Sequence, residues 1–122
     1  IFMRCLIETR PPTIHGDGEQ SRDFTYVEDV AELVIKAATA PNVAGRMYNA
    51  GNGERYTLNQ IWSLLQKIEG VSIPANYGPP RPGDVRDSQA DTAAAIRDLN
   101  HSPRFTIEQG LRKTLEWYRT AG

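Results

Sequence analysis

Thr57 and Gln60 stand three residues apart in front of an apolar stripe, Leu58, Ile61, Trp62, Leu65 and Ile68, and the stripe closes at Gly70. This stretch specifies a complete helix. A threonine with glutamine three residues on is the capping-box start signal. Glycine at the end supplies the left-handed residue that stops a helix without strain. The same start signal returns at Thr106 and Gln109, ahead of Ile107, Leu111, Leu115 and Tyr118. Helices with one apolar face need a core to cover it, so the chain has to pack around at least these two. The two boxes do not form an internal repeat.

The remaining segments follow from turn and stop signals. Residues 1–10 mix apolar and charged residues as a helix does, and Pro11-Pro12 stops them. Thr13-Ile14-His15 reads as a short strand, Gly16-Asp17-Gly18 as a turn, and residues 23–27 as extended chain. Residues 28–40 form a helix ended by Pro41. Its stripe of Val30, Leu33, Val34, Ala37 and Ala38, widened by Val27 and Ala31, is broad enough to predict cover on more than one side. Residues 46–50 read as a strand, Gly51-Asn52-Gly53 as a loop and residues 73–77 as a strand. A stiff, proline-rich loop, Gly78 to Asp84, comes next. Asp91 is placed to cap a short helix reaching about Asn100.

At 122 residues the chain fits one domain or a large part of one, and burial of roughly two thirds of its unfolded surface is within reach. Fourteen Lys and Arg against fifteen Asp and Glu give a net charge of −1, which argues against a nucleic-acid binder. The single cysteine, Cys5, has apolar neighbours (Phe2, Met3, Leu6 and Ile7) and reads as a buried thiol in a reducing, cytoplasmic setting. No Cys/His set has metal-ligand spacing, and no apolar run has the length of a membrane span. No signal peptide is visible, and the first residue is Ile1 rather than Met, so a fragment or processed chain is expected.

Two loops carry arginine without serving a helix face: residues 16–24, with Gln20, Arg22 and Phe24, and residues 81–87, with Arg81, Asp84 and Arg86. Guanidinium matches phosphate oxygens bidentately, and loops from distant parts of a chain can converge on one ligand. Spacing alone allows a plainer reading: surface ion pairs of Arg22 with Asp23 or Glu19, Arg81 with Asp84, and Arg86 with Asp87.

The order and wording of these loops resemble a known family, the extended short-chain dehydrogenase/reductases that act on nucleotide sugars, the NAD-dependent epimerases and dehydratases. TIHGDGEQSRDFTYVED, residues 13–29, is similar to the family's GDG-x-Q-x-RDF-x-YV-x-D segment. RMYNAGNGERYTLNQI, residues 46–61, resembles its YN-x-G-x-G strand and following helix. RPGDVRDSQAD, residues 81–91, resembles the epimerase-like branch, and TIEQGLRKTLEWYR, residues 106–119, its terminal helix. The resemblance implies an α/β fold: the C-terminal, substrate-binding lobe of an extended Rossmann-type enzyme. Some elements, the 28–40 helix and the strand at Met47 to Asn49, would return to a dinucleotide lobe absent from residues 1–122.

It also implies roles. Arg22 would contact the nucleotide diphosphate or ribose, Arg81 the diphosphate, and Asp84 the ribose hydroxyls. Gln20 would be a candidate for the nucleotide pocket. Phe24 would pack on ribose or base, or in the core. Asn49 would reach the ligand or bond backbone beside a turn, and Arg86 would serve the ligand or pair with Asp87. Asp23 and Asp29 are expected to be structural. Ser21, His15 and Asn100 depart from the family's usual residues, and Asn100 tolerates the left-handed region.

Neither the family's glycine-rich cofactor turn nor its Tyr-x-x-x-Lys pair is present: Tyr26 is followed at four by Val30, Tyr48 by Asn52, Tyr56 by Gln60 and Tyr77 by Arg81. No catalytic residue is therefore expected here, and NAD is expected in a parent enzyme rather than on this chain alone. That parent would be a UDP-glucose 4-epimerase-like enzyme working by C4 oxidation and hydride return, or a related dehydratase or decarboxylase. A stand-alone nucleotide-binding module and a non-binding interaction piece are the other readings. The expected partners are a nucleotide sugar, UDP-sugar first, and further copies of the chain in a homo-oligomer. Nucleic acid and membrane are not expected.

Overall fold

A computed structural model describes residues 1–121 of the chain. Five helices are linked by four very short strands: α1 (Phe2–Ile7), β1 (Thr13–His15), β2 (Ser21–Arg22), α2 (Val27–Thr39), β3 (Tyr56–Thr57), α3 (Leu58–Glu69), β4 (Asn76–Gly78), α4 (Ala93–Leu99) and α5 (Ile107–Thr120). The architecture is mixed α/β, and one of its two strand pairs is parallel. β1 runs parallel to β4 with Thr13 opposite Asn76, and β2 runs antiparallel to β3 with Ser21 opposite Thr57.

Both capping boxes form. Thr57 accepts from the Gln60 amide and Thr106 from the Gln109 amide, with each glutamine side chain returning to its threonine's own N–H. Gly70 ends α3 with φ of 71°, and Asn100 ends α4 with φ of 51°, both in the left-handed region. The N-terminal helix is shorter than its pattern predicts. It ends at Ile7 because Thr9 turns left-handed, and the Arg10 and Thr9 amides fold back onto the carbonyls of Cys5 and Leu6.

The main core lies between α1, α3 and α5. Met3, Cys5, Leu6, Ile61, Trp62, Leu65, Ile73 and Leu115 are buried there together. Each large apolar side chain so buried contributes about 1.5–3 kcal/mol. The Trp62 indole N–H donates to the Ile73 carbonyl at 2.8 Å, so the ring is buried without an orphaned donor. A smaller cluster of Leu33, Ala95 and Leu99 joins α2 to α4. Buried Asp29 fastens α2 to the chain ahead of α5 by accepting from the Arg104 and Phe105 amides.

Four expectations are corrected. Residues 23–26 are extended but unpaired. The strand falls instead at Ser21–Arg22, where β3 supplies the partner, and α2 begins at Val27. Residues 46–50 form no strand, because no neighbouring chain among the described residues pairs with them, and Met47 stands 94% exposed. The α2 stripe is covered on one side only: Leu33 is buried while Val27, Val34 and Ile35 are exposed. The third predicted strand shifts to Asn76–Gly78, since register against β1 decides where pairing occurs.

Candidate functional site

The Gly16–Gly18 turn is the foundation of the site. Both glycines hold positive φ, and a Cβ at Gly18 would overlap the Asn59 amide. The close approach lets the start of α3 fasten the loop: the Leu58 amide donates to the Gln20 carbonyl and the Asn59 amide to the Gly18 carbonyl. These are amides that a helix N-terminus leaves without an internal partner. The capping box and the arginine-bearing loop are thus parts of one arrangement.

The second loop lies on the first. Ser21 and Asp87 form a lone parallel bridge, the Ser21 hydroxyl donates to the Asp87 carboxylate at 2.5 Å, and the Ser21 amide donates to the Arg86 carbonyl. Two ion pairs cross between the loops, Arg22–Asp84 at 2.7 Å and Arg86–Asp17 at 2.9 Å. The expected local pairings do not form, for identifiable reasons. The Asp23 carboxylate is occupied by the amides of Asn52, Gly53 and Ala90. Glu19 accepts from the Asn59 side chain, and Asp87 accepts from Ser21. Asp84 pairs with Arg22, which leaves Arg81 without an ion pair among the described residues.

These loops border two adjoining clefts. The larger, about 500 Å³, has an apolar wall including Phe24, Tyr26 and Phe105, and is closed by the first turn of α5. The smaller, about 440 Å³, is lined by Asp17, Pro80 and Arg86 among others. His15, Gln20, Arg81 and Asp84 line both. Five of the seven candidate residues thus line these clefts: Gln20, Phe24, Arg81, Asp84 and Arg86. Arg22 stands behind Asp84 and also donates to the Ser21 carbonyl at 2.6 Å. Phe24 lines the larger cleft while packing against the main core, so its two readings coexist. Asn49 lies apart; its side-chain amide donates to the Asp91 carbonyl at 3.3 Å. Asp17, Tyr26 and Phe105 were not singled out in the sequence. Asp17 reads as a turn residue and Tyr26 as part of the extended stretch, and Phe105 stands between Pro103 and the capping box at Thr106.

Gly51-Asn52-Gly53 is filled from within. The Asn52 and Gly53 amides both donate to Asp23, each at 2.9 Å, and a Cβ on Gly51 would overlap the Ala90 methyl group. The Gly51 carbonyl bonds the buried His101 ring at 2.7 Å. This loop is a packing junction, with its amides already bound to a carboxylate. Among the described residues no His, Cys, Asp and Glu group is arranged to hold a metal ion, and no helix is long and apolar enough to cross a membrane.

The Asp17 carboxyl is held below the usual carboxylate range, first by the Glu19 amide and then by Arg86. A carboxyl depressed in the folded state adds stability above its unfolded pKa, and that stability is lost as pH falls through the folded value. The tie between the loops is therefore expected to weaken below about pH 4. Acid unfolding followed by circular dichroism checks this: Asp17→Asn should flatten that part of the stability profile, and an unchanged profile counts against it.

Comparison with known proteins finds similar chains and similar folds. The model of the NAD dependent epimerase/dehydratase family matches residues 1–51. A UDP-glucuronate 4-epimerase of Thermodesulfobacterium geofontis is 34% identical over 95% of the chain, and the match spans 36% of that relative. The crystal structure of a Thermotoga maritima UDP-glucose 4-epimerase with UDP-glucose superposes with a TM-score of 0.90 at 36% identity, over 97% of this chain and 38% of that one. A Bacillus cereus UDP-glucuronic acid 4-epimerase, in complex with UDP-glucuronic acid and NAD, gives a TM-score of 0.93 at 31% identity, over 99% and 39%. The chain therefore spans somewhat over a third of these relatives. With its fold and its ordered motifs matching theirs over almost its whole length, the chain is similar to members of the NAD-dependent epimerase/dehydratase family.

Proposed function

We propose that this chain carries the nucleotide-anchoring part of an NAD-dependent nucleotide-sugar 4-epimerase, with a UDP-sugar as ligand. The observation behind this reading is that two arginine-bearing loops, distant in sequence, are bonded together over one pair of clefts. Arg81, which makes no ion pair among the described residues, offers its guanidinium to the diphosphate. Arg22 holds Asp84 beside it, and Asp84 accepts ribose hydroxyls. The wall of Phe24, Tyr26 and Phe105 receives the flat faces of the nucleoside. An anchor remote from the reacting carbon supplies orientation, which is a large part of catalysis by positioning.

The similar epimerase of Bacillus cereus holds NAD as well as its sugar nucleotide. The residues of this chain do not fit that cofactor. The Gly51-Asn52-Gly53 loop has its amides bound to Asp23 and its space filled by Ala90, and the Gly16–Gly18 turn leads into β2 rather than into a helix. NAD binding and the acid–base pair are accordingly assigned to parent sequence outside residues 1–122. The buried thiol of Cys5 fits a reducing, cytoplasmic setting.

Calorimetric titration with UDP tests the anchor. Binding weakened in Arg81→Ala supports it, and a folded chain that ignores every nucleoside diphosphate overturns it. Turnover of UDP-glucose with NAD by the chain alone would contradict the assignment of catalysis elsewhere. The bare face of α2, with Val27, Val34 and Ile35 exposed, also leads to an expectation of self-association. Light scattering should report species larger than one chain, reduced by Val34→Glu with Ile35→Lys. A cooperative, stable monomer counts against it.

A further inference from the structure

Asn52 alone among the six asparagines is followed by glycine; the others precede Val43, Ala50, Gln60, Tyr77 and His101. An Asn-Gly pair is open to a spontaneous reaction, because glycine has no side chain to keep its nitrogen from the asparagine amide. The Gly53 nitrogen attacks Asn52 Cγ, the new C–N bond closes a succinimide ring, and the Cγ–Nδ2 bond breaks. The proton from the Gly53 nitrogen leaves with Nδ2 as ammonia. Water then opens the ring at either carbonyl and leaves an aspartyl or an isoaspartyl residue at position 52. Nothing is oxidised or reduced, and water is the only co-reactant.

The folded loop opposes the first step. Four main-chain groups in three consecutive residues are held at once. The Gly51 carbonyl bonds the buried His101 ring at 2.7 Å, and the Asn52 and Gly53 amides donate to Asp23, each at 2.9 Å. The Gly53 carbonyl accepts from the Gln89 side chain. Gly51 packs directly on Ala90, where a Cβ would overlap the methyl group, and Gly53 is set in the left-handed region at φ of 77°. The attacking nitrogen is thus turned toward Asp23 and pinned on both sides. Its proton is also harder to lose, because a nitrogen anion would form beside a carboxylate.

We propose that Asn52 is a latent deamidation site, kept closed by the Asp23 junction, and that reaction there makes an opening of the junction permanent. An isoaspartyl residue adds a main-chain carbon between the two amides, so both cannot meet Asp23 as they do now. Reaction proceeds through the locally opened loop, and its rate reports how often the loop opens.

Peptide mapping by mass spectrometry on the full chain, held at mildly alkaline pH, reads ammonia loss and isoaspartate at position 52. The folded wild type should react at least about tenfold more slowly than the same chain in concentrated urea, the scale of one or two hydrogen bonds opening. Gln89→Ala, at an exposed position, should speed the folded reaction roughly 2- to 10-fold with the melting temperature little changed. Asp23→Asn should speed it further. If Asp23→Asn unfolds the chain, Gln89→Ala carries the test, with circular dichroism showing that it is folded. The purified isoaspartyl form should melt below the wild type. Equal rates in buffer and in urea overturn the proposal, as does a chain that keeps its Asn52 amide in urea. A folded Gln89→Ala that reacts no faster than wild type overturns the pinning, and an isoaspartyl form that melts with the wild type overturns the permanent opening.

Discussion

Replacing Arg81 with alanine is expected to lower affinity for UDP by roughly 10- to 150-fold, the range of about 1.5–3 kcal/mol that a hydrogen bond to a charged group contributes. The argument turns on what each arginine already does. Arg22 spends its donors on Asp84 and on the Ser21 and Arg86 carbonyls, and Arg86 is paired with Asp17. Arg81 makes no ion pair among the described residues, yet it lines both clefts. Its removal costs the ligand contact without unfastening the loops, so the melting temperature should hardly move. Arg22→Ala should behave differently. It frees Asp84 and loosens one crossing between the loops, so affinity and stability fall together. Calorimetry and thermal melts on both variants separate the cases. Unchanged UDP affinity in Arg81→Ala would remove the diphosphate from that position.

The second large effect concerns stability. Asp23→Ala is expected to destabilise the fold by about 2–4 kcal/mol, since buried donors left without a partner cost about 1–3 kcal/mol each and several lose theirs together. One carboxylate accepts from the amides of Asn52, Gly53 and Ala90 and from the Thr25 hydroxyl. It joins the loop between Arg22 and Phe24 to two other stretches of chain. Asp23→Asn keeps one acceptor oxygen and turns an NH2 group toward the amides, so its loss should be intermediate. Urea denaturation reads these differences directly. A midpoint for Asp23→Ala within about 0.5 kcal/mol of wild type, the scale of an ordinary surface change, would show that the junction is held by packing instead.

The parts of this structure that were legible in the sequence are those whose causes lie within a few residues. The capping boxes at Thr57 and Thr106, the left-handed stops at Gly70 and Asn100 and the buried Cys5 all formed as read. The strands were less legible because a strand exists only with a partner. Phe24 and Tyr26 have strand-favouring side chains but no neighbouring chain, whereas Ser21 and Arg22 have one in Tyr56 and Thr57. Val34 and Ile35 show the same limit for a helix face. Periodicity gives the stripe, and only the surrounding chain decides whether it is covered. At the site, residue type picked out the two loops. The partner of each arginine was settled by competition among acidic residues, since Asp23 had gone to backbone amides and Asp84 to Arg22. Local spacing carries no record of that competition.

The parallel pairing of β1 with β4 also bears on how the site comes into being. Thr13 meets Asn76 only after α2 and α3 have been threaded between them. Local helices can form early, since their contacts are close in sequence. A parallel pair separated by so much chain has to wait for the entropy of closing that loop to be repaid by packing elsewhere. His15 and Gln20 lie on one side of that closure, and Arg81 and Asp84 on the other. A fragment of this chain that stops before β4 holds His15 and Gln20 but neither Arg81 nor Asp84. The four residues shared by the two clefts come together only at the step that joins the first strand to the last.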